Sequence, residues 1–433
     1  MNYYSTNKTA APVSFREATI LGQAPDKGLY FPETIPVLDR ELISNINSYS
    51  RSDLAFRVIK PYVGGDIPDG DLMRIVSETV QFPIPLVPVT DEIYSLELFH
   101  GPTLAFKDIG ARFMSRCLGY FVKGEDREIT VLVATSGDTG GAVANGFYDV
   151  EGVQVVILYP SGKVSPVQEQ QLTTLGKNIH ALEIAGSFDD CQQMVKTAFA
   201  DPDVRAARFL TSANSINVAR WLPQQFYYFF AYQQWADRGQ APVISVPSGN
   251  FGNICAGLLA SASGLPVEHF IAACNANDVI PRFMATGHMN PQPAIATLSN
   301  AMDVGHPSNF VRILEIFGHQ FPELARRLSA VSISDEETTR VIGEVFGKNG
   351  YMLDPHGAVG FLALQRYLAE HPGLKGMFLE TAHPVKFPET VEKHTGVKPA
   401  IPAEVGAIMA RKKVSQPMKA SYAELRQYLL EQR

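Results

Sequence analysis

Residues 129–160 read ITVLVATSGDTGGAVANGFYDVEGVQVVILYP. The apolar, β-branched run ITVLVAT (129–135) ends in SGDTGG, the small-residue stretch AVANGFY follows, and VQVVILYP (153–160) is a second apolar run. Strands that alternate with helices predict a mostly parallel α/β architecture. The alternation continues outward. SPVQEQQLTTLG carries Ser165 as N-cap, Pro166 at the first helical position and Gln168 three residues on, a capping-box pattern closed by Gly176. IHALEI is the next strand, and Ser187 with Asp190 opens the helix FDDCQQMVKTAF. PVISVPSGNFG joins a strand to a glycine-bearing turn, and VEHFIAAC is a strand. Ser334 and Glu337 cap DEETTRVIGEVFGKNG, and MFLETAHP (377–384) reads as a last buried strand.

Residues 1 to about 90 are punctuated by glycine and proline, as in GLYFPETIP (28–36) and YVGGDIPDG (62–70), and read as a small leading domain. The length of 433 residues suggests about three domains. No repeat or flexible linker separates them, so the chain is free to cross between domains more than once. Apolar residues make up 45% and charged residues 19%, enough to bury large cores. The net charge of −7 arises from 37 basic and 44 acidic residues without a long block of either sign. That pattern points away from nucleic acid and from membrane surfaces. Cys117, Cys191, Cys255 and Cys274 lack metal-ligand spacing and read as buried thiols in a reducing compartment. With no signal-peptide pattern and no apolar run of membrane-spanning length, a cytoplasmic protein is expected.

Ligands of parallel sheets gather at the carboxyl ends of strands. Three such ends carry polar clusters: SGDTG, SGNFGN and ETAHP. In SGNFGN (Ser248 to Asn253) two glycines let successive amides point inward ahead of a helix, which makes an anion cradle. The same stretch is equally a ligand-free strand–helix turn. It matches neither the Walker A loop nor the dinucleotide fingerprint. In SGDTGG, Ser136 and Thr139 suit a substrate carboxylate, whereas Asp138 would repel one unless a cation sits beside it. The simpler reading of that stretch alone is an Asx-type N-cap turn. NSINVAR places Asn214, Ser215, Asn217 and Arg220 together. Arginine is the natural bidentate partner of a phosphate, although a polar loop with a surface arginine is the simpler reading. In ETAHP, His383 is a candidate base or, more simply, a hydrogen-bonded strand-end residue, while Thr381 offers a hydroxyl to a ring nitrogen.

HGPTLAFKD (100–108) places Lys107 at the mouth of the helix IGARFMSRCLGYF. The positive end of the helix dipole and the apolar neighbours Leu104, Ala105 and Phe106 both disfavour an ammonium there, so a lowered pKa is expected. A neutral amine is the nucleophile that a carbonyl-bearing cofactor needs. The alternative is a surface lysine whose stem packs on those residues. Together, an amine, a phosphate cradle, a hydroxyl for a ring nitrogen and a second anion site are the parts needed for pyridoxal phosphate.

LELFHGPTLAFKD, TSGDTG, YPSGKVSPVQ, NSINVAR, VPSGNFGN, TLSNAMDVG and TAHPVKF occur here in the order found in threonine synthases of the bacterial and fungal type, which this sequence resembles over nearly its whole length. SFREATILGQAPDKGLYFP is similar to the N-terminal domain of that family. The resemblance implies the tryptophan-synthase-β-like fold of pyridoxal-phosphate enzymes (fold type II): two mostly parallel α/β domains with the cofactor between them, after a small N-terminal domain. On this reading residues 1–90 form the N-terminal domain, 91–130 with 226–433 the larger cofactor-binding domain, and 131–225 the smaller α/β domain.

The resemblance also implies roles. Lys107 would be the Schiff-base lysine, Gly249, Asn250, Phe251, Gly252 and Asn253 the phosphate loop, and Thr381 the partner of the pyridine nitrogen, with Glu380 directly before it. Asp138 falls where related branches set an Asn on the cofactor's 3-hydroxyl. Ser136 and Thr139 would receive the substrate carboxylate, and Asn214, Ser215, Arg220 and Lys163 its phosphate. The implied reaction is the conversion of O-phospho-L-homoserine and water to L-threonine and phosphate by γ-elimination and β-addition. Rival expectations are a phosphohomoserine lyase or a serine/threonine dehydratase giving 2-oxobutyrate and ammonia, a non-catalytic protein that kept the fold, and a nucleotide-dependent phosphotransferase. Monomer and homodimer are both compatible with the sequence.

Overall fold

A computed structural model describes residues 1–123 and 128–431. The chain divides into two compact units, each threaded by separate stretches of sequence. The first comprises Met1, Phe31–Phe106 and Trp221–Ala400. The second comprises Asn2–Tyr30, Lys107–Arg220 and Ile401–Arg433. Residues 2–30 and 31–90 thus fall in different units.

The first unit is built on a six-stranded sheet in the order Leu328–Ser332, His269–Cys274, Val243–Pro247, Gly376–Glu380, Ile93–Glu97, Leu86–Pro88. Its neighbours pair in parallel, except Leu86–Pro88, which runs antiparallel to Ile93–Glu97. The two central strands, Val243–Pro247 and Gly376–Glu380, are buried along their whole length. That burial follows from helices on both faces of a parallel sheet. One of the unit's helices, Gly252–Ala262, is buried from Gly252 to Ala260. A Cβ on Gly257 would lie 2.6 Å from the Tyr228 ring and 2.8 Å from Phe270, so this helix packs close to the sheet.

The second unit carries a five-stranded sheet, all parallel, in the order Gln416–Lys419, Ile179–Ala185, Val153–Pro160, Ile129–Ala134, Phe209–Thr211. Its core gathers Leu132, Val156, Leu158, Leu182 and Ile184 with the helical residues Cys191, Met194 and Leu425. The capping boxes expected at Ser165/Gln168, Ser187/Asp190 and Ser334/Glu337 all form. Two expectations shift. The helix after Ser165 ends at Thr173, ahead of Gly176, and Gln416–Lys419 follows the strand read as the last one. That late strand escapes a hydrophobicity reading because it lies at the sheet edge and buries Met418 alone.

All four cysteines are buried free thiols. Among the described residues no helix is long and apolar enough to cross a membrane.

Candidate active site

Lys107 is the first residue of the helix Lys107–Val122, where the sequence places it, and is half-buried. The arm leading to it is fixed within the first unit. Leu104 adopts a left-handed φ of 56°, and its amide donates to the Gly101 carbonyl at 3.0 Å. A non-glycine residue holds such a φ only where its surroundings over-determine it. Here Ala105 bridges Ala382, the His383 amide donates to the Leu104 carbonyl (3.1 Å), and the Phe106 amide donates to the Thr381 carbonyl (2.9 Å). The Tyr227 hydroxyl donates to the Phe106 carbonyl.

Within the second unit, glycines let several sequence-predicted residues close on the lysine helix. A Cβ on Gly110 would lie 2.6 Å from the Arg220 carbonyl and 3.1 Å from its Nε, so Arg220 sits against the first turn of that helix. Gly146, on the helix Asp138–Phe147, brings its backbone within about van der Waals contact of Ala111, where a Cβ would lie 3.0 Å from the Ala111 carbonyl carbon.

Ser136, Asp138 and Thr139 follow the carboxyl end of Ile129–Ala134. The expected Asx-type cap does not form. Gly137, at φ 140°, is the N-cap, and the Thr135 hydroxyl accepts from the Gly137 and Gly140 amides (3.0 and 2.9 Å). Asp138 is only 6% exposed, and its Oδ1 accepts from Gln168 Nε2 at 2.9 Å. Gln168 also accepts from the Ser165 amide through Oε1 (3.1 Å), so one amide group both caps its own helix and holds Asp138. The motif reveals the capping half of that role; the Asp138 contact spans 30 residues and has no local signal.

Arg220 is not the surface residue of the simpler reading. It is 3% exposed on the short helix Val218–Trp221, and its Nη1 donates to the Ala213 carbonyl at 2.5 Å. Asn217 is wholly buried and ties the loop to the chain, donating from Nδ2 to the Thr19 carbonyl at 2.8 Å and accepting from the Ala219 amide at 2.9 Å. Asn214 and Ser215 are half-buried on the same loop. Lys163 is exposed on the turn after Val153–Pro160, and its charge helps hold the Asp190 carboxyl below its ordinary range, after the larger effects of the Ser187 amide and hydroxyl.

In the first unit SGNFGN joins the carboxyl end of Val243–Pro247 to Gly252–Ala262, with Phe251 left-handed at φ 62°. The helical ladder starts with Cys255 donating to the Phe251 carbonyl (3.1 Å), so the Gly252 and Asn253 amides have no intrahelical acceptor. Side chains brace this loop. Asn253 Nδ2 donates to the Pro247 carbonyl (2.8 Å), and Asn250 Oδ1 accepts from the Ser308 amide and hydroxyl (2.7 Å each). Ser308 is a support that no sequence pattern announced. A Cβ on Gly249 would lie 2.6 Å from Met302 Cα, so the TLSNAMDVG segment packs directly on the loop.

Thr381 follows Gly376–Glu380 and is 5% exposed, and its hydroxyl has no hydrogen-bond partner among the described residues. His383 takes the simpler of its two readings. Its Nδ1 accepts from the Val385 amide (3.0 Å), and burial, more than the nearby His100, lowers its pKa to about 4. It is a neutral cap at neutral pH. The chemistry of these donors fits pyridoxal phosphate. Uncharged amides at a helix N-terminus suit a phosphate, and an unpartnered hydroxyl on a buried residue suits a ring nitrogen that carries no proton.

Known proteins resemble the chain throughout. The Pyridoxal-phosphate dependent enzyme family matches residues 82–377, the Threonine synthase N terminus family residues 2–80, and the Threonine synthase, C-terminal family residues 357–429. The chain is 44% identical over 431 residues to a threonine synthase of Serratia marcescens, covering 99% of each. The crystal structure of threonine synthase from Escherichia coli matches with a TM-score of 0.92 at 41% identity, over 100% of both chains. That of PLP-bound threonine synthase from Brucella melitensis matches with a TM-score of 0.93 at 36% identity, over 99% of both.

Proposed function

The chain belongs to the threonine synthase family of pyridoxal-phosphate-dependent enzymes, and from that premise we propose that it converts O-phospho-L-homoserine and water to L-threonine and phosphate. Its fold is fold type II, its cofactor is pyridoxal phosphate and its substrate is a small molecule. We place it in the cytoplasm.

When bound, the cofactor supplies an electron sink for charge that develops on the substrate. The residues of this chain supply the rest. Lys107 would hold the cofactor through its Nζ, and the same amine is placed to serve as the base for the substrate's Cα proton. Gly249, Asn250, Phe251, Gly252 and Asn253 would cradle the cofactor phosphate, and Thr381 would partner the ring nitrogen. Asp138, steadied by Gln168, would partner the ring hydroxyl. Ser136 and Thr139 donate to the substrate carboxylate, and Asn214, Ser215, Arg220 and Lys163 receive its phosphate. Arg220 presents a fixed fork because the Ala213 carbonyl already orients it.

The observation that carries this reading is the clamped arm Leu104–Phe106, which ends in a residue hydrogen-bonded to Thr381 and directly precedes Lys107 in the chain. The purified protein, supplied with pyridoxal phosphate and O-phospho-L-homoserine, should release phosphate and L-threonine in equal amounts. Formation of 2-oxobutyrate and ammonia instead would make it a lyase or dehydratase.

A further inference from the structure

Behind Thr381 lies a set of acids that the reaction does not use. Glu380 ends the central strand Gly376–Glu380 and is wholly buried. Its Oε1 accepts from the Asp354 amide at 2.8 Å. Asp354, also wholly buried, is the N-cap of the 16-residue helix Pro355–Glu370. Asp354 Oδ1 accepts from the His356 amide (2.5 Å) and meets His356 Nδ1 (2.7 Å). His356 Nε2 in turn accepts from the Ala301 amide at 3.2 Å. Two buried oxygens, Asp354 Oδ2 and Glu380 Oε2, have no donor among the described residues.

The donor count fixes the protonation. A ring nitrogen that accepts from an amide carries no hydrogen, so His356 carries a hydrogen on Nδ1 and donates it to Asp354. Asp354 is then an acceptor throughout, and the N-terminus of its helix favours the negative charge. One proton on the Glu380 carboxyl, donated to Asp354 in the side-chain hydrogen bond between them, gives the two remaining oxygens a partner. Without it two adjacent carboxylates would be buried unpaired, a cost that shifts the proton equilibrium instead. Burial first, and then the charge of Asp354, push the Glu380 carboxyl well above its ordinary range.

Among the described residues no lysine or arginine is hydrogen-bonded or ion-paired to Asp354 or Glu380. Glu97 adds negative charge and is held by the Tyr351 hydroxyl (3.0 Å) and His100 (2.6 Å). Tyr351 is driven well above its ordinary value by burial and stays a neutral phenol. His383 is neutral, the charge of Lys386 acts on it, and the Asp303 carboxyl lies in the neighbourhood of His356. Gly357 closes the space, since a Cβ there would lie 1.6 Å from Glu380 Oε2.

We infer that Asp354 and Glu380 share a single proton and, with His356, form a brace that ties Thr381 to Ala301–Met302 and the phosphate loop packed on them. Glu380 and Asp354 are therefore positioning residues: they fix the spacing of two cofactor anchors and keep an added carboxylate charge away from the ring-nitrogen hydroxyl. The cofactor part of this inference rests on the function proposed above; the shared proton does not.

Infrared difference spectroscopy tests the proton on the cofactor-free protein. The wild-type protein should show a protonated-carboxyl stretch at neutral pH that disappears in Glu380→Gln. Its absence from wild type, or its survival in Glu380→Gln, overturns the inference. Cofactor titration tests the brace. Glu380→Ala should weaken pyridoxal-phosphate binding by about tenfold or more, and Glu380→Gln, whose amide reproduces both hydrogen bonds, should restore it to within about threefold. Equal loss in both variants overturns the positioning role, because it would mean that an ionised carboxylate is needed. If Glu380→Gln does not fold, the wild-type band alone decides. A band and a binding pattern as expected, without threonine formation, would sink the proposed reaction and leave the brace standing.

Discussion

The amide of Phe106 donates to the carbonyl of Thr381 at 2.9 Å. Phe106 immediately precedes Lys107, and Thr381 immediately follows the proton-sharing Glu380. One backbone hydrogen bond thus links two stretches of sequence about 275 residues apart, one leading into Lys107 and the other containing Thr381. Its dependence on backbone atoms lets the side chains at both ends be changed without cutting the link.

Lys107→Ala should therefore leave the fold intact while removing the covalent hold on the cofactor. Visible absorbance of bound pyridoxal phosphate and turnover should vanish together, with turnover down by about a thousandfold or more. Absorbance titration and a phosphate-release assay check this; normal turnover would dismiss the lysine's role.

Arg220→Lys keeps the charge but loses the planar fork. The KM for O-phospho-L-homoserine should rise by about ten- to a hundredfold, as expected for losing a charge-assisted hydrogen bond, with cofactor absorbance retained. Steady-state kinetics beside cofactor titration separates the two. Cofactor release with an unchanged KM would assign the arginine to the other phosphate.

Gln168 has two tasks, and two variants separate them. Ser165→Ala should cost about 1 kcal/mol through the lost cap and leave the cofactor spectrum alone. Gln168→Ala should cost about 1–2 kcal/mol and also shift the spectrum, because Asp138 loses its buried donor. Urea midpoints and absorbance maxima read the two effects independently.

Glu183 gives a pH dependence of stability. Its carboxyl is drawn from an ordinary 4.5 down to about 2, chiefly by Lys413, with the Ser161 and Ser415 hydroxyls assisting against partial burial. The Lys413 contact is 2.8 Å. A folded-state pKa below the unfolded one stabilises the protein above pH 4.5, and this contribution is lost as pH falls through about 2. The difference in urea midpoint between wild type and Glu183→Gln should be constant near neutrality and shrink toward zero on acidification. A difference that grows on acidification would contradict the assignment.

Local chemistry made much of this legible from sequence. The capping boxes, the glycine turn after VISVP and the lysine at a helix mouth each declare themselves within a few residues. What stayed hidden depends on distant partners. Gln168 meets Asp138 across 30 positions, and Asn250 meets Ser308 across 58. The burial of Arg220 is hidden because a helix of four residues leaves no periodicity to read. The environment of Glu380 is hidden because its partner, Asp354, lies 26 residues earlier in the chain.

Gly110 has a consequence for anyone seeking to retarget this scaffold to other substrates. Because the Arg220 carbonyl occupies the volume where a side chain would grow, the helix that starts at Lys107 and the guanidinium assigned to substrate recognition cannot be re-spaced one at a time. Variation at position 110 is closed even to alanine, so libraries aimed at a different leaving group should diversify Asn214, Ser215 and Lys163 and leave that junction untouched.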